Sequence, residues 1–180
     1  MLLVPQFRAV YLVDTEYQAG SGDRCKPICL VSHELHSGRV DRRWLWTGDP
    51  GQPPWNPRDP ETLIVSFSSP AECGVFAALG WEQPRRVLDL WAEYRVRTNG
   101  LTRATGFLSV LEAHGIPASI ENDKKKAWQK LCADGSSAAI EANCAGILRY
   151  CESDVGPDGS GKSAAPGSGK SAVSRKGGDT

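Results

Sequence analysis

The chain lacks both a long apolar run and a net charge. Its 180 residues include 21 lysines and arginines, which balance 21 aspartates and glutamates. A membrane-spanning helix needs about 20 consecutive apolar residues, so we expect no membrane span. The N-terminus has neither the charged region nor the cleavage site of a secretory signal, which predicts a cytoplasmic location. Proteins that read nucleic-acid sequence usually carry a clear basic excess, so any polyanion must be met here by local charge or metal.

Cysteines are few and scattered. Six of them are spread through otherwise ordinary globular sequence, without the dense spacing of a small disulfide scaffold. We therefore expect reduced thiols that serve mostly as small core residues.

Aromatic and large aliphatic residues almost disappear after residue 155. Such a segment cannot bury enough surface to offset the entropy lost on ordering. We predict a folded domain over residues 1–155 and a disordered Gly/Ser/Lys-rich tail over residues 156–180. The tail matches the phosphate-binding P-loop pattern at residues 156–163, but that motif requires a preceding strand and a following helix. Because the letters GSGKSA also occur twice, we interpret the match as low complexity and expect no ATP binding.

The remaining pattern predicts an α/β fold. Apolar, β-rich segments predict strands over residues 8–14, 27–35, 39–46, 62–67 and 86–89. Helical patterns cover residues 69–79, 90–97, 101–114, 122–132 and 137–154. Short loops join the first three strands, which predicts an antiparallel meander. We expect a mixed sheet of about five strands flanked by helices.

Two acids follow the first apolar stretch. Side chains alternate along a strand, so Val10, Leu12, Asp14 and Glu16 share one face and the strand presents two carboxylates side by side. Metal ligands are presented in this way. An acidic turn at a strand end is the alternative reading.

A second pair ends the last predicted helix. Tyr150 and Asp154 are four residues apart and lie on one helix face. An acid in a final turn opposes the helix dipole, so we expect a positive group near Asp154.

Glu72 has two readings. Ser69, Pro70 and Glu72 fit a capping box, in which the glutamate reaches back to the start of its helix. A functional carboxylate at this strand-to-helix junction is the other reading, and the sequence leaves both open.

Together these residues resemble the DEDDy family of 3′–5′ exonucleases, the ribonuclease-H-like proofreading domain of family A DNA polymerases. Asp14-Thr15-Glu16 matches the first motif of that family, and Tyr150 with Asp154 matches the third. The second motif is an Asn followed four residues later by Asp, whereas this chain has Ser68 and Glu72. Glutamate keeps the charge but adds a methylene, and the amide is lost. The resemblance covers about residues 4–155.

The resemblance implies removal of nucleotides from the 3′ end of single-stranded DNA with two Mg²⁺ or Mn²⁺ ions. It implies that Asp14 bridges the ions, that Glu16 and Asp154 complete the first ion site, and that Glu72 holds the second ion. Tyr150 would orient the attacking water.

Substrate contacts are expected at Thr15, Ser68 and Asn99, and Thr102 is a further candidate. Two basic sets are candidates for guiding phosphates or are simply solvated helix faces: Lys124, Lys125, Lys126 and Lys130, and Arg95, Arg97 and Arg103.

A DNA polymerase domain or subunit is the implied partner. Two alternatives stay open: a ribonuclease D-like enzyme acting on RNA, and a degenerate domain that binds nucleic acid or a polymerase without cleaving. The changed second motif favours the latter.

Overall fold

The computed structural model describes residues 6–20, 24–101, 104–118 and 120–156. Five strands form one sheet in the order β3-β2-β1-β4-β5. The strands are β1 (Ala9–Gln18), β2 (Lys26–Glu34), β3 (Val40–Trp44), β4 (Thr62–Ser66) and β5 (Val87–Asp89). The helices in these ranges are α1 (Ser69–Ala78), α2 (Leu90–Arg97), α3 (Phe107–Ala113), α4 (Asn122–Asp134), α5 (Ser137–Ala142) and α6 (Cys144–Ser153). The predicted α/β fold is confirmed, and it is consistent with a ribonuclease-H-like fold.

The central strand β1 has different neighbours along its length. It pairs antiparallel with β2 as far as Gln18, but its parallel pairing with β4 ends where Leu12 meets Val65. The first three strands form the predicted antiparallel meander, and β4 pairs parallel with β5. The prediction that β1 ends at residue 14 is wrong, because β2 continues to supply hydrogen bonds beyond that point. Asp14 and Glu16 therefore lie within a strand rather than in an acidic turn.

Helices cover both faces of the sheet. Tyr11 and Val13 pack with Phe76 of α1, whereas Leu12 packs with Ile147 and Cys151 of α6. This division follows the alternation of side chains along β1. Each large apolar side chain buried in this way contributes about 1.5–3 kcal/mol, so both layers hold β1 in place.

The end of α6 is tied to the outer strand β3. Arg42 donates from Nε to Glu152 Oε2 at 2.7 Å and from Nη2 to Glu152 Oε1. A two-pronged guanidinium–carboxylate pair is directional as well as strong. It therefore orients the turn of α6 that precedes Asp154.

Two helix predictions are wrong in their bounds. The helix predicted over residues 101–114 begins only at Phe107, because Leu101 is 84% exposed and adds nothing to an apolar face. The helix predicted over residues 137–154 is divided at Asn143, whose side-chain amide donates to the carbonyl of Ala139 at 2.8 Å. Asparagine side chains compete with the backbone in this way and interrupt helices.

The six cysteines are free thiols, and Cys29, Cys132 and Cys151 are buried. Among the described residues, every helix is too short or too polar to cross a bilayer. The predicted tail lies outside the described residues, apart from Gly156.

Two glycines in helices provide a matched test of the packing between α4 and α6. A Cβ on Gly146 would lie 2.3 Å from Trp128 Cη2, whereas a Cβ on Gly74 would meet no atom within 4 Å. We expect Gly146→Ala to lower the free energy of unfolding by about 1–3 kcal/mol through overpacking. Gly74→Ala should raise it by about 0.5–1 kcal/mol, because alanine loses less entropy in a helix. Urea unfolding of both variants measures the two effects, and equal changes in the two would contradict this packing.

Candidate functional site

A cavity of about 350 Å³ opens where β1 extends past the end of β4. Its wall contains the side chains of four acids, a tyrosine and a lysine: Asp14, Glu16, Glu72, Lys125, Tyr150 and Asp154. We call this cavity the carboxylate pocket. Segments far apart in the chain supply it, because β1, α1, α4 and the end of α6 converge at this edge of the sheet.

The pairing of β1 with β2 fixes the positions of the two acids on β1. Asp14 pairs with Val31 and Glu16 with Cys29 in the antiparallel register, and the register shifts directly after Glu16. Such bulges bend a strand and re-aim its side chains. The Cys151 thiol donates to the carbonyl oxygen of Asp14 at 3.3 Å, which joins α6 to this part of β1.

Of the two readings of Glu72, the capping box is wrong. Ser68, rather than Ser69, is the N-cap residue of α1, and its side chain makes no capping hydrogen bond. The Ser69 hydroxyl lies 2.9 Å from the Ser66 hydroxyl, and the Ser69 N–H donates to Asp89 Oδ2 at 3.1 Å. Glu72 therefore does not cap α1. It lies in the wall of the carboxylate pocket and is only 5% exposed.

The positive group expected near Asp154 is Lys125. Its ammonium pairs with Asp154 Oδ2, and its side chain is 8% exposed. Lys125 is therefore not part of a solvated face. Lys124 and Lys130 are exposed and pair with Glu121 and Asp134 on the surface of α4.

Burial and mutual repulsion shift the titration of the acids. Burial raises the pKa of Glu16 to about 7, repulsion from Asp154 adds to the rise, and the Lys125 charge opposes it. Burial also raises the pKa of Glu72 to about 7, against hydrogen bonding with its own backbone amide and the Ser66 hydroxyl. Asp14 has its pKa raised well above the usual range by burial and then by repulsion from the other three acids. The pocket therefore favours a cation that would hold these groups ionised.

Tyr150 is buried against the same acids. Burial, followed by repulsion from Glu16 and Asp154, raises the pKa of the Tyr150 hydroxyl above its usual value of 10. The hydroxyl consequently stays protonated at neutral pH. It can donate or accept a hydrogen bond but cannot serve as a strong base.

The acids offer some of the ligands that a divalent cation needs, but not a complete set. Asp14 Oδ2 and Glu72 Oε2 are buried and have no hydrogen-bond partner. Carboxylate oxygens of this kind are ligands for Mg²⁺ or Mn²⁺. Across the described ranges, however, no three His, Cys, Asp or Glu side chains are arranged to hold a metal ion together. Water or substrate oxygens would have to complete the coordination.

The predicted substrate contacts divide into two groups. Thr15 and Ser68 line the pocket, and the Thr15 hydroxyl is buried without a partner. Asn99 does not line it; this exposed residue follows α2 with a φ of 51°, a left-handed conformation common just after a helix. Arg95 and Arg97 are exposed on α2. Thr102 and Arg103 lie outside the described residues.

Sequence reasoning missed Lys125, Gln129 and Phe107 as pocket residues. Lys125 and Gln129 are four apart on α4, so one helix face brings both to the pocket. Their spacing of four residues indicates that they share a helix face. Nothing in the sequence, however, distinguishes Lys125 from its neighbours Lys124 and Lys126.

No model of a protein family matches the chain, and no curated protein matches it in a sequence search. Its function must therefore be inferred from the pocket itself.

The raised pKa of Glu72 predicts a pH-dependent stability. A raised native pKa means that the native state holds its proton longer, so stability is lost as pH rises from about 4.5 to about 7. The variant Glu72→Gln cannot ionise at this position and so does not lose this stability. The difference in free energy of unfolding, variant minus unchanged chain, should therefore increase by about 2–3 kcal/mol between pH 5.0 and pH 7.5.

Urea unfolding in EDTA at the two pH values measures this difference. Glu112→Gln, at an exposed position on α3, is the control. A relative stability of Glu72→Gln that does not change with pH would show that Glu72 is ionised as easily as in the unfolded chain.

Proposed function

We propose that the chain is a metal-dependent 3′–5′ exonuclease of the DEDDy type that acts on single-stranded DNA. The observation that carries this proposal is the single pocket lined by Asp14, Glu16, Glu72, Tyr150 and Asp154. An editing role for a family A polymerase, as a separate subunit or as part of a longer chain, belongs to the proposal, as does a cytoplasmic location.

The chemistry of phosphodiester hydrolysis suits this donor set. Charge develops on the attacking and leaving oxygens, and bound Mg²⁺ or Mn²⁺ would stabilise that charge. Asp14 and Glu72 offer unpartnered oxygens to such an ion. Tyr150 would orient the attacking water through its hydroxyl, and Thr15 and Ser68 would contact the terminal nucleotide.

An apolar cleft of about 560 Å³ adjoins the carboxylate pocket. Its lining favours a single-stranded substrate. Phe67, Leu90 and Phe107 line both cavities, while Tyr94 and His114 line only the cleft. Unstacked bases bind well to aromatic surfaces without regard to sequence. A strand end whose last phosphate enters the pocket could place its bases in this cleft. The same argument holds for RNA, so DNA and RNA must be compared directly.

A specific observation also favours a second candidate, the domain that binds without cleaving. Lys125 already pairs with Asp154, and the described residues include no preformed group of three metal ligands. A pocket neutralised in this way could hold a strand end without hydrolysing it.

A cleavage assay separates the two candidates. A 5′-labelled single strand should be shortened one nucleotide at a time when Mg²⁺ or Mn²⁺ is present. Asp14→Asn should lower the rate by at least about 10²-fold, since it removes a charge that acts on the reacting phosphate. Asp134→Asn, at an exposed position that ends α4, should leave the rate unchanged.

Binding of the labelled strand without shortening would support the second candidate. Faster shortening of RNA than of DNA would support the ribonuclease D-like alternative.

Tyr150→Phe tests the role of the hydroxyl. We expect the rate to fall at least about tenfold, because the water loses a hydrogen bond that orients it. The pH dependence of the remaining activity should keep its shape, since a protonated tyrosine contributes no ionisation near neutral pH. Loss of one limb of the pH–rate profile in Tyr150→Phe would instead identify Tyr150 as the base.

A further inference from the structure

The Lys125 ammonium occupies an unusual position inside the carboxylate pocket. Besides its pair with Asp154, Nζ lies 4.9 Å from the ring centroid of Phe107 and 5.1 Å from that of Tyr150. Ring faces attract cations, and the effect is larger away from water. The ammonium is thus held by a carboxylate and two aromatic rings, rather than by a chance surface contact.

Positive charge is distributed unevenly over the four acids. Lys125 forms an ion pair with Asp154, so this carboxylate has its own cation. By contrast, Asp14 Oδ2 and Glu72 Oε2 are buried and have no hydrogen-bond partner, and Glu72 is only 5% exposed. The two unpartnered oxygens therefore belong to acids with which Lys125 forms no ion pair.

A fixed ammonium and a divalent cation compete for the same carboxylates. Like charges a few ångströms apart repel strongly where water is excluded, and each would compete for Asp154. A divalent ion at Glu16 and Asp154 would have to displace Lys125 from both rings as well as from its carboxylate. Asp14 and Glu72 present no such competitor.

We propose that the Lys125 ammonium takes the place of one of the two divalent cations, so that the pocket binds a single Mg²⁺ or Mn²⁺ through Asp14 and Glu72. This inference rests on the proposed function and changes its metal requirement from two ions to one. Asp154 then holds Lys125 instead of a metal. The ammonium remains in the pocket as a second positive charge toward a substrate phosphate.

The test is the number of Mn²⁺ ions bound by the full chain without nucleic acid, measured by electron paramagnetic resonance of free Mn²⁺ and by calorimetry. The unchanged chain should bind one ion. Lys125→Met should bind two, because it keeps an unbranched side chain of similar length but frees Asp154 to bind a metal together with Glu16. Lys130→Met, on the same helix and 78% exposed, is the matched control and should bind one.

Two further variants locate the ion. Glu72→Gln should weaken Mn²⁺ binding at least tenfold, whereas Asp154→Asn should still bind one ion within about threefold of the original affinity. Circular dichroism checks that each variant folds. If Lys125→Met does not fold, the ion count of the unchanged chain and the contrast between these two variants decide the matter.

Two ions bound by the unchanged chain would overturn the inference, and so would one ion bound by a folded Lys125→Met. Loss of the ion in Asp154→Asn would show that Asp154 is a metal ligand and would overturn the inference as well. Each of these results is compatible with exonuclease activity. Absence of any bound ion together with absence of cleavage would overturn both the inference and the proposed function.

Discussion

Carboxylates gather in a buried pocket only where positive charge reaches them, because burial and mutual repulsion both penalise their ionised forms. This constraint governs the pocket at the edge of the sheet. Lys125 meets it in part through its ion pair with Asp154, whereas Asp14 Oδ2 and Glu72 Oε2 are buried without a partner. The pocket thus combines one paired carboxylate with two acids whose buried oxygens have no partner. Burial raises the pKa values of Glu16 and Glu72 alike, so the pocket responds to pH as a whole.

The fold creates this situation through unequal strand lengths. β1 continues beside β2 after β4 has ended at Ser66, so the two acids of β1 project where no neighbouring strand covers them on that side. The start of α1 and the end of α6 fill the gap from opposite layers. A site built at a strand overhang is rigid on one side and open on the other, which suits a ligand that enters from the end.

The sequence predicted those parts of the fold that local periodicity determines. Alternation placed Asp14 and Glu16 on one strand face, and the dipole argument at Asp154 required a cation nearby. The helix break at Asn143 depended on one side-chain hydrogen bond that periodicity does not register.

Other features depended on tertiary packing. Three consecutive lysines look alike in sequence, and only the docking of α4 on β1 decides that Lys125 points inward. Glu72 was ambiguous because a shift of one residue in the helix start, from Ser69 to Ser68, decides whether it caps the helix. Local patterns therefore identified the acids, while the cation beside them emerged only from how the layers meet.

The bidentate pair between Arg42 and Glu152 links the outer strand of the sheet to the end of α6. β3 contributes no side chain to the pocket, yet it anchors the helical turn that leads into Asp154. A small rotation of that terminal turn would swing the aspartate relative to Lys125 and alter the distance between the two charges. Through this anchor, a strand that does not line the pocket can influence the ion pair inside it.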